Sequence, residues 1–249
     1  MQQRRCIFCG GRANSKEHFW PRWVLALGGG TRNIRIGLKS NPEQVSSGDF
    51  QIRCVCMGCN AGWMSKLEGE VKTFAEPMLR GQRVHLCPEN QIAIAVWASK
   101  FAVVLEGTRP QSDERFYTPD ACRSLMVARE VPDLTRVEIG QYVTPALYAS
   151  GFDFKLSSDG EIGGRGLVTT IVLGHLVLQI SSLRPVPPFD GRNAEVPVHP
   201  GHWENLLLGA WPPSNGPVTW PPSMLFWEPF HGPFSILSLT TRFDSAGPA

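Results

Sequence analysis

The chain has no long apolar run, little charge, and almost no acid among its first forty residues. The longest apolar stretch, Leu167 to Ile180, is broken by Thr169, Thr170, Gly174 and His175. It falls short of the roughly 20 apolar residues that a membrane-crossing helix needs, so no membrane partner is expected. Charged residues make up 18% and hydrophobic residues 42% of the 249, a globular balance that argues against disorder and against a fibrous repeat. No repeat is visible beyond a doubled Trp-Pro-Pro at 211–213 and 220–222, which reads as rigid extended pieces with tryptophan anchors. The opening Met1-Gln-Gln-Arg-Arg-Cys6 lacks the apolar stretch of a signal peptide. The expected location is therefore the cytoplasm, where paired cysteines mean metal more often than disulfide.

The shortage of acid is local. Residues 1–40 hold eight basic side chains and a single acid, Glu17. Residues 1–83 carry 13 Lys/Arg against 6 Asp/Glu, whereas 84–249 carry 11 against 16. A basic end favours a phosphate-bearing partner; the alternative is a solvated surface whose acids lie elsewhere in space. Arg12, Lys16 and Arg22, with Lys66 further on, are the candidate nucleic-acid contacts.

What the chain does have is seven cysteines, four of them in two matched pairs: Cys6-x-x-Cys9 and Cys56-x-x-Cys59. Two such pairs form the donor set of a structural zinc ion, bound tetrahedrally at Zn–S distances of about 2.3 Å. The pairs bracket Glu17-His18, and the second runs directly into Asn60. Cys54, Cys87 and Cys122 are left over and read as small hydrophobes. The remaining histidines show no ligand-type spacing. Trp20, Trp23 and Trp63 read as core of a small zinc unit, with stacking on a base as the alternative.

Periodicity and punctuation give an α+β chain. A short extended piece is expected over Lys16–Trp20, with Pro21 preventing an easy helical continuation. A long loop follows over Leu25–Asp49, then a strand over Phe50–Val55. Met64, Leu67, Val71 and Phe74 recur at helical spacing from Asn60 until Pro77. Ile92 to Leu105 is apolar nearly all round, which implies a buried helix, and Pro119 to Ala128 suits a third. Beyond Thr135, four short strands are expected at Val137–Val143, Phe152–Leu156, Leu167–Leu173 and Leu176–Ile180. The length permits two domains: 1–80 bearing the cysteines, and 81–249 serving as scaffold, target selector or protein-binding region. The break falls near 77–90, unless the buried helix joins the two parts into one body.

Cys6-Ile-Phe-Cys9-Gly10, Glu17-His18-Phe-Trp-Pro21 and Cys56-Met-Gly-Cys59-Asn60 together resemble the zinc-containing HNH endonucleases of the His-Me finger (ββα-metal) group, in a form found in bacteria and their phages. The resemblance covers roughly residues 4–76. It implies a zinc-stapled ββα unit that cuts DNA, by default double-stranded, in a bacterial or phage-infected cell. In that frame His18 is the general base. Glu17 and Asn60 hold a catalytic Mg2+ or Mn2+, and zinc on the four thiolates is structural. The family usually has a middle Asn about five residues before the second cysteine pair; Gln51 stands there and can supply the same carbonyl. Glu68 is a weak third ligand, because nine residues of straight helix from Asn60 place it about 12 Å along the axis. A zinc-stabilised nucleic-acid-binding or adaptor protein without cleavage activity is the alternative reading.

Overall fold

A computed structural model describes residues 4–27, 34–37, 43–45, 51–109, 114–158, 161–185 and 206–224. The chain is α+β, with helices gathered in its first half and antiparallel strands in its second.

The first half is built from very short elements. Strand β1 (Glu17–His18) pairs antiparallel with β4 (Gln51–Ile52), so Glu17 faces Ile52 and His18 faces Gln51 across the ladder. Between them lie α1 (Arg22–Ala26), β2 (Ile34–Gly37) and β3 (Glu43–Val45). Pro21 does not block a helix: it is the N-cap of α1, a position where a residue without an N–H sacrifices no bond. Of the expected loop over 25–49, Leu25 and Ala26 belong to α1 and Leu27 caps it, two strands, β2 and β3, follow, and the rest lies outside the described residues, as does Phe50.

After the second cysteine pair the helix is not straight. A single turn, α2 (Met57–Cys59), passes through a wide turn at Asn60–Met64 into α3 (Ser65–Leu79), and Gly62 breaks the regular geometry with ψ −107°. Pro77 does not stop α3; it sits in the last turn. The chain then leaves through Gly81, at φ +77°, whose N–H bonds the Met78 carbonyl at 2.9 Å.

The expected buried helix is α4 (Pro88–Glu106), preceded by the short strand β5 (Val84–Leu86). Aromatic side chains from the cysteine-bearing part pack on it. Phe19 lies 5.4 Å from Phe101 and Trp23 lies 6.1 Å from Trp97 by ring centroids. One apolar cluster runs from Cys6 through α4 to Trp220, so the first eighty residues and the rest share a core. Each fully buried Phe or Leu in it contributes about 1.5–3 kcal/mol. The third expected helix is α5 (Pro119–Val127), with the Thr118 hydroxyl accepting the Ala121 N–H. No helix among the described residues is long and apolar enough to cross a membrane.

The four expected strands are two long ones, β6 (Thr135–Ser158) and β7 (Glu161–Pro185), paired antiparallel. The apparent gap between short strands is a bulge: Gln141 faces Leu176 and Ala146 faces Gly174, so the Tyr142–Pro145 stretch lies across from His175 alone. Pro145 has no N–H to give the ladder. Gly174 turns with φ +60° against the end of α3, where an added Cβ would lie 2.4 Å from the Leu79 carbonyl oxygen. The bulge flips the alternation. Before it Ile171 and Leu173 face the main core; after it Leu176, Leu178 and Ile180 do. Val172 and Val177 face the second cluster on the opposite side, with Tyr142 and Leu207.

Strand β8 (Leu207–Trp211) and β2 flank β6, at its first half and at Ala149–Ser150 respectively. Strand β9 (Val218–Trp220) pairs with β5. Both Trp-Pro-Pro segments close a strand. Trp220 is fully buried with its indole N–H on the Gly140 carbonyl at 3.1 Å, and Trp211 packs against the main core. They act as tryptophan anchors.

Candidate functional site

Two tight turns bring the four paired cysteines together. In the first, the Gly10 N–H bonds the Cys6 carbonyl at 2.9 Å, with Gly10 at φ +73°. In the second, Cys56 caps α2, its sulfur accepting the Cys59 N–H at 3.3 Å. Cross-links join the turns: the Ile7 N–H meets the Cys54 carbonyl at 2.9 Å and the Ser15 N–H the Val55 carbonyl at 3.1 Å. The Asn14 side-chain oxygen accepts the Met57 N–H at 2.9 Å.

All four sulfurs lie within 4.8 Å of one another, and Cys9 Sγ to Cys56 Sγ is 3.5 Å. A zinc tetrahedron with 2.3 Å bonds has sulfur–sulfur edges of about 3.8 Å, so the cluster has the dimensions to hold a metal ion such as zinc. No two cysteines are joined as a disulfide among the described residues. Burial pushes the Cys9 and Cys59 thiols above their ordinary value. At Cys56 burial works the same way but is outweighed by the Cys59 N–H and the neighbouring thiols, which bring it down to about 7. Metal entry must therefore displace protons from Cys9 and Cys59.

Between the two cysteine pairs in sequence, the β1–β4 ladder sets His18 opposite Gln51, with the Gln51 amide nitrogen 3.1 Å from His18 Nε2. The residue at the middle-Asn position therefore does reach the imidazole. Glu17 points to the other side of β1, into the interior, and is 5% exposed. Burial pushes its carboxyl up to about 7, the Lys100 ammonium pulling it down and the Glu68 carboxylate pushing it further up. Asn60 donates its amide N–H to the Ser15 hydroxyl at 2.7 Å, three residues before His18.

Glu68 lies on α3, beyond the kink at Gly62 that separates it from Asn60. It pairs with Lys100 at 2.9 Å, a structural engagement with α4. Arg12, Lys16, Arg22 and Lys66 are all exposed. Cys54 and Cys122 are buried, as small hydrophobes are, whereas Cys87 is half-buried at the N-cap of α4. His85 bonds the Thr219 hydroxyl at 2.9 Å and His175 the Tyr142 carbonyl at 2.7 Å. The other three later histidines, His199, His202 and His231, lie outside the described residues. Trp20 is fully buried, and Phe8 lies 4.9 Å from Trp63, which supports the core reading of those tryptophans.

Sequence reasoning missed Lys100, Ser15 and Asn14. Lys100 left a signal: it is the one charge inside the apolar run from Ile92 to Leu105, and a buried ammonium requires a partner. Ser15 and Asn14 left none.

The donor chemistry of Glu17 and Asn60 suits a hard, oxygen-ligated cation. With its N–H on Ser15, the Asn60 amide presents its carbonyl oxygen on the other branch, and a desolvated carboxyl like that of Glu17 is stabilised by added positive charge. Compared with protein-family models, curated proteins and solved structures, the chain matches none.

Proposed function

We propose that the chain is a metal-dependent endonuclease that hydrolyses DNA phosphodiester bonds. The observation that carries this reading is the strand pair that holds the His18 imidazole against Gln51, in a chain whose two cysteine pairs meet in one four-sulfur cluster. His18 takes a proton from the attacking water, a task suited to a neutral imidazole near physiological pH. Gln51 positions it. The Gln51 amide nitrogen is the atom 3.1 Å from Nε2, so as placed its N–H donates to that lone pair and the ring proton sits on Nδ1; half a turn of the amide would put its carbonyl there and reverse the two.

Glu17 and Asn60 would hold Mg2+ or Mn2+, whose chemistry is to stabilise charge on the phosphate and on the departing 3′ oxygen. The products would carry a 5′ phosphate and a 3′ hydroxyl. Zinc on the four thiolates holds the scaffold and takes no part in the reaction. Arg12, Lys16, Arg22 and Lys66 supply cations for the strand backbone.

The burial of Glu17 favours a second reading, a nucleic-acid-binding or adaptor protein in which Lys100 already serves as the carboxylate's cation. Conversion of supercoiled plasmid in Mg2+ or Mn2+ separates the two. The nuclease reading predicts cutting by wild type and a loss of about 10²–10⁴-fold in His18→Ala at unchanged zinc content. Binding without cutting in any divalent ion would leave the adaptor.

A further inference from the structure

A cavity of about 690 Å³ lies between the first cysteine turn and α5. Three guanidinium groups line it, Arg5 from the turn, Arg115 from the approach to α5 and Arg123 from α5 itself, with no carboxylate among its described lining residues. Arg5 and Arg123 are exposed and Arg115 half-buried. The Arg115 side chain donates Nη1 to the Glu106 carbonyl, so it is already held in place and has less freedom to lose when it binds. The nearest acid in sequence, Glu114, is taken up by Arg165 and Arg184 at 3.0 and 3.3 Å. The rest of the wall includes the apolar Ile7, Phe8 and Pro119.

This volume falls in the range of sites that enclose a small ligand, about 300–1,000 Å³. Guanidinium forks recognise phosphate oxygens, and an apolar wall accepts the face of a base. A duplex keeps its base faces stacked inside and presents only backbone and base edges, so an apolar wall suited to a base face stays unused against it. An unpaired nucleotide can place phosphate on the arginines and its base against the wall. We infer that this cavity is a second nucleic-acid subsite, which takes an unpaired segment of the bound strand. The inference rests on reading the chain as acting on nucleic acid. It adds a preference among substrates: duplexes with an unpaired extension bind more tightly than blunt ones.

The test is fluorescence anisotropy in the His18→Ala background, which prevents cutting, with a labelled blunt duplex and the same duplex carrying an unpaired extension. The expected gain for the extension is about tenfold, the order expected of one stacked base. Arg123→Glu and Arg5→Glu, both at exposed positions, should each remove that gain and leave blunt-duplex binding within about twofold. Equal affinity for the two duplexes overturns the inference, as does a gain that survives both substitutions. Hydrogen exchange on the unsubstituted chain guards against a folding defect in the variants. Added single-stranded oligonucleotide should slow exchange over residues 115–123, and unchanged exchange there also overturns the inference. Plasmid cutting with no gain from an extension leaves the nuclease reading standing and removes this one; an arginine-dependent gain without any cutting does the reverse.

Discussion

The segment from Arg4 to Ile52 and the β6–β7 hairpin reach order by opposite means. The hairpin has ladders running the length of two strands, with apolar side chains facing clusters on both sides. The early segment has a two-residue strand pair, one helix of five residues and the short strands β2 and β3, and it contributes two of the four sulfurs that lie within 4.8 Å of one another. Two-residue strands have too few ladder bonds to persist alone. A thiolate-bound ion supplies what the ladder lacks, since structural zinc sites contribute folding free energy directly. A metal at that point would let β1 stay short, with His18 half-buried rather than packed into the core.

Breaking the metal cluster should have the largest effect. Cys59→Ser removes one of four ligands, against apparent zinc affinities worth about 10–16 kcal/mol in isolated zinc peptides. The expected result is a chain that no longer retains zinc and whose residues 4–64 are cut first in limited proteolysis. Equal zinc retention by the variant would show that the sulfurs are not the ligands.

Gly174→Ala should strike the hairpin instead. A Cβ at φ +60°, 2.4 Å from the Leu79 carbonyl oxygen, forces either the bulge or the end of α3 to move, at a cost of about 2–4 kcal/mol. The urea midpoint should fall while bound zinc stays unchanged. Lys100→Met tests the link between the two regions. The pair's Glu68 is 20% exposed, so the loss should come to about 2 kcal/mol, below the 3–5 kcal/mol of a fully buried pair, and Lys100→Met with Glu68→Leu should recover part of it. A destabilisation that persists in full in the double variant would mean Lys100 acts through packing alone. Asn14→Ala should be the mildest, about 1 kcal/mol for the lost Met57 contact at the start of α2, read as a small drop in melting temperature.

Features encoded over a few residues were legible in the sequence. The cysteine pairs, Glu17-His18 and the apolar run of α4 each announce themselves within one contiguous stretch of chain. Features that depend on distant partners were not. Lys100 meets Glu68 across 32 positions, and Asn60 meets Ser15 across 45. The strands β2 and β3 hid between glycine and serine clusters that read as loop. Alternation from Val168 to Ile180 looked like two strands because the bulge at Gly174 reverses which parity faces the core. Gln51 at the middle-Asn position was legible, and its contact with His18 follows from the register of β1 on β4. The inward turn of Glu17 was not, since a two-residue strand carries too little pattern to show which face is buried.

The most direct test of the account is zinc content measured together with hydrogen exchange before and after the metal is stripped. One zinc per chain is predicted. Its removal should speed exchange at the Ile7 and Ser15 amides, whose bonds tie the cysteine turns together, and at the Asn60 amide, which bonds the Cys56 carbonyl within the second turn, while the β6–β7 amides keep most of their protection. A chain that binds no zinc, or whose early amides exchange at the same rate with and without it, would contradict the account.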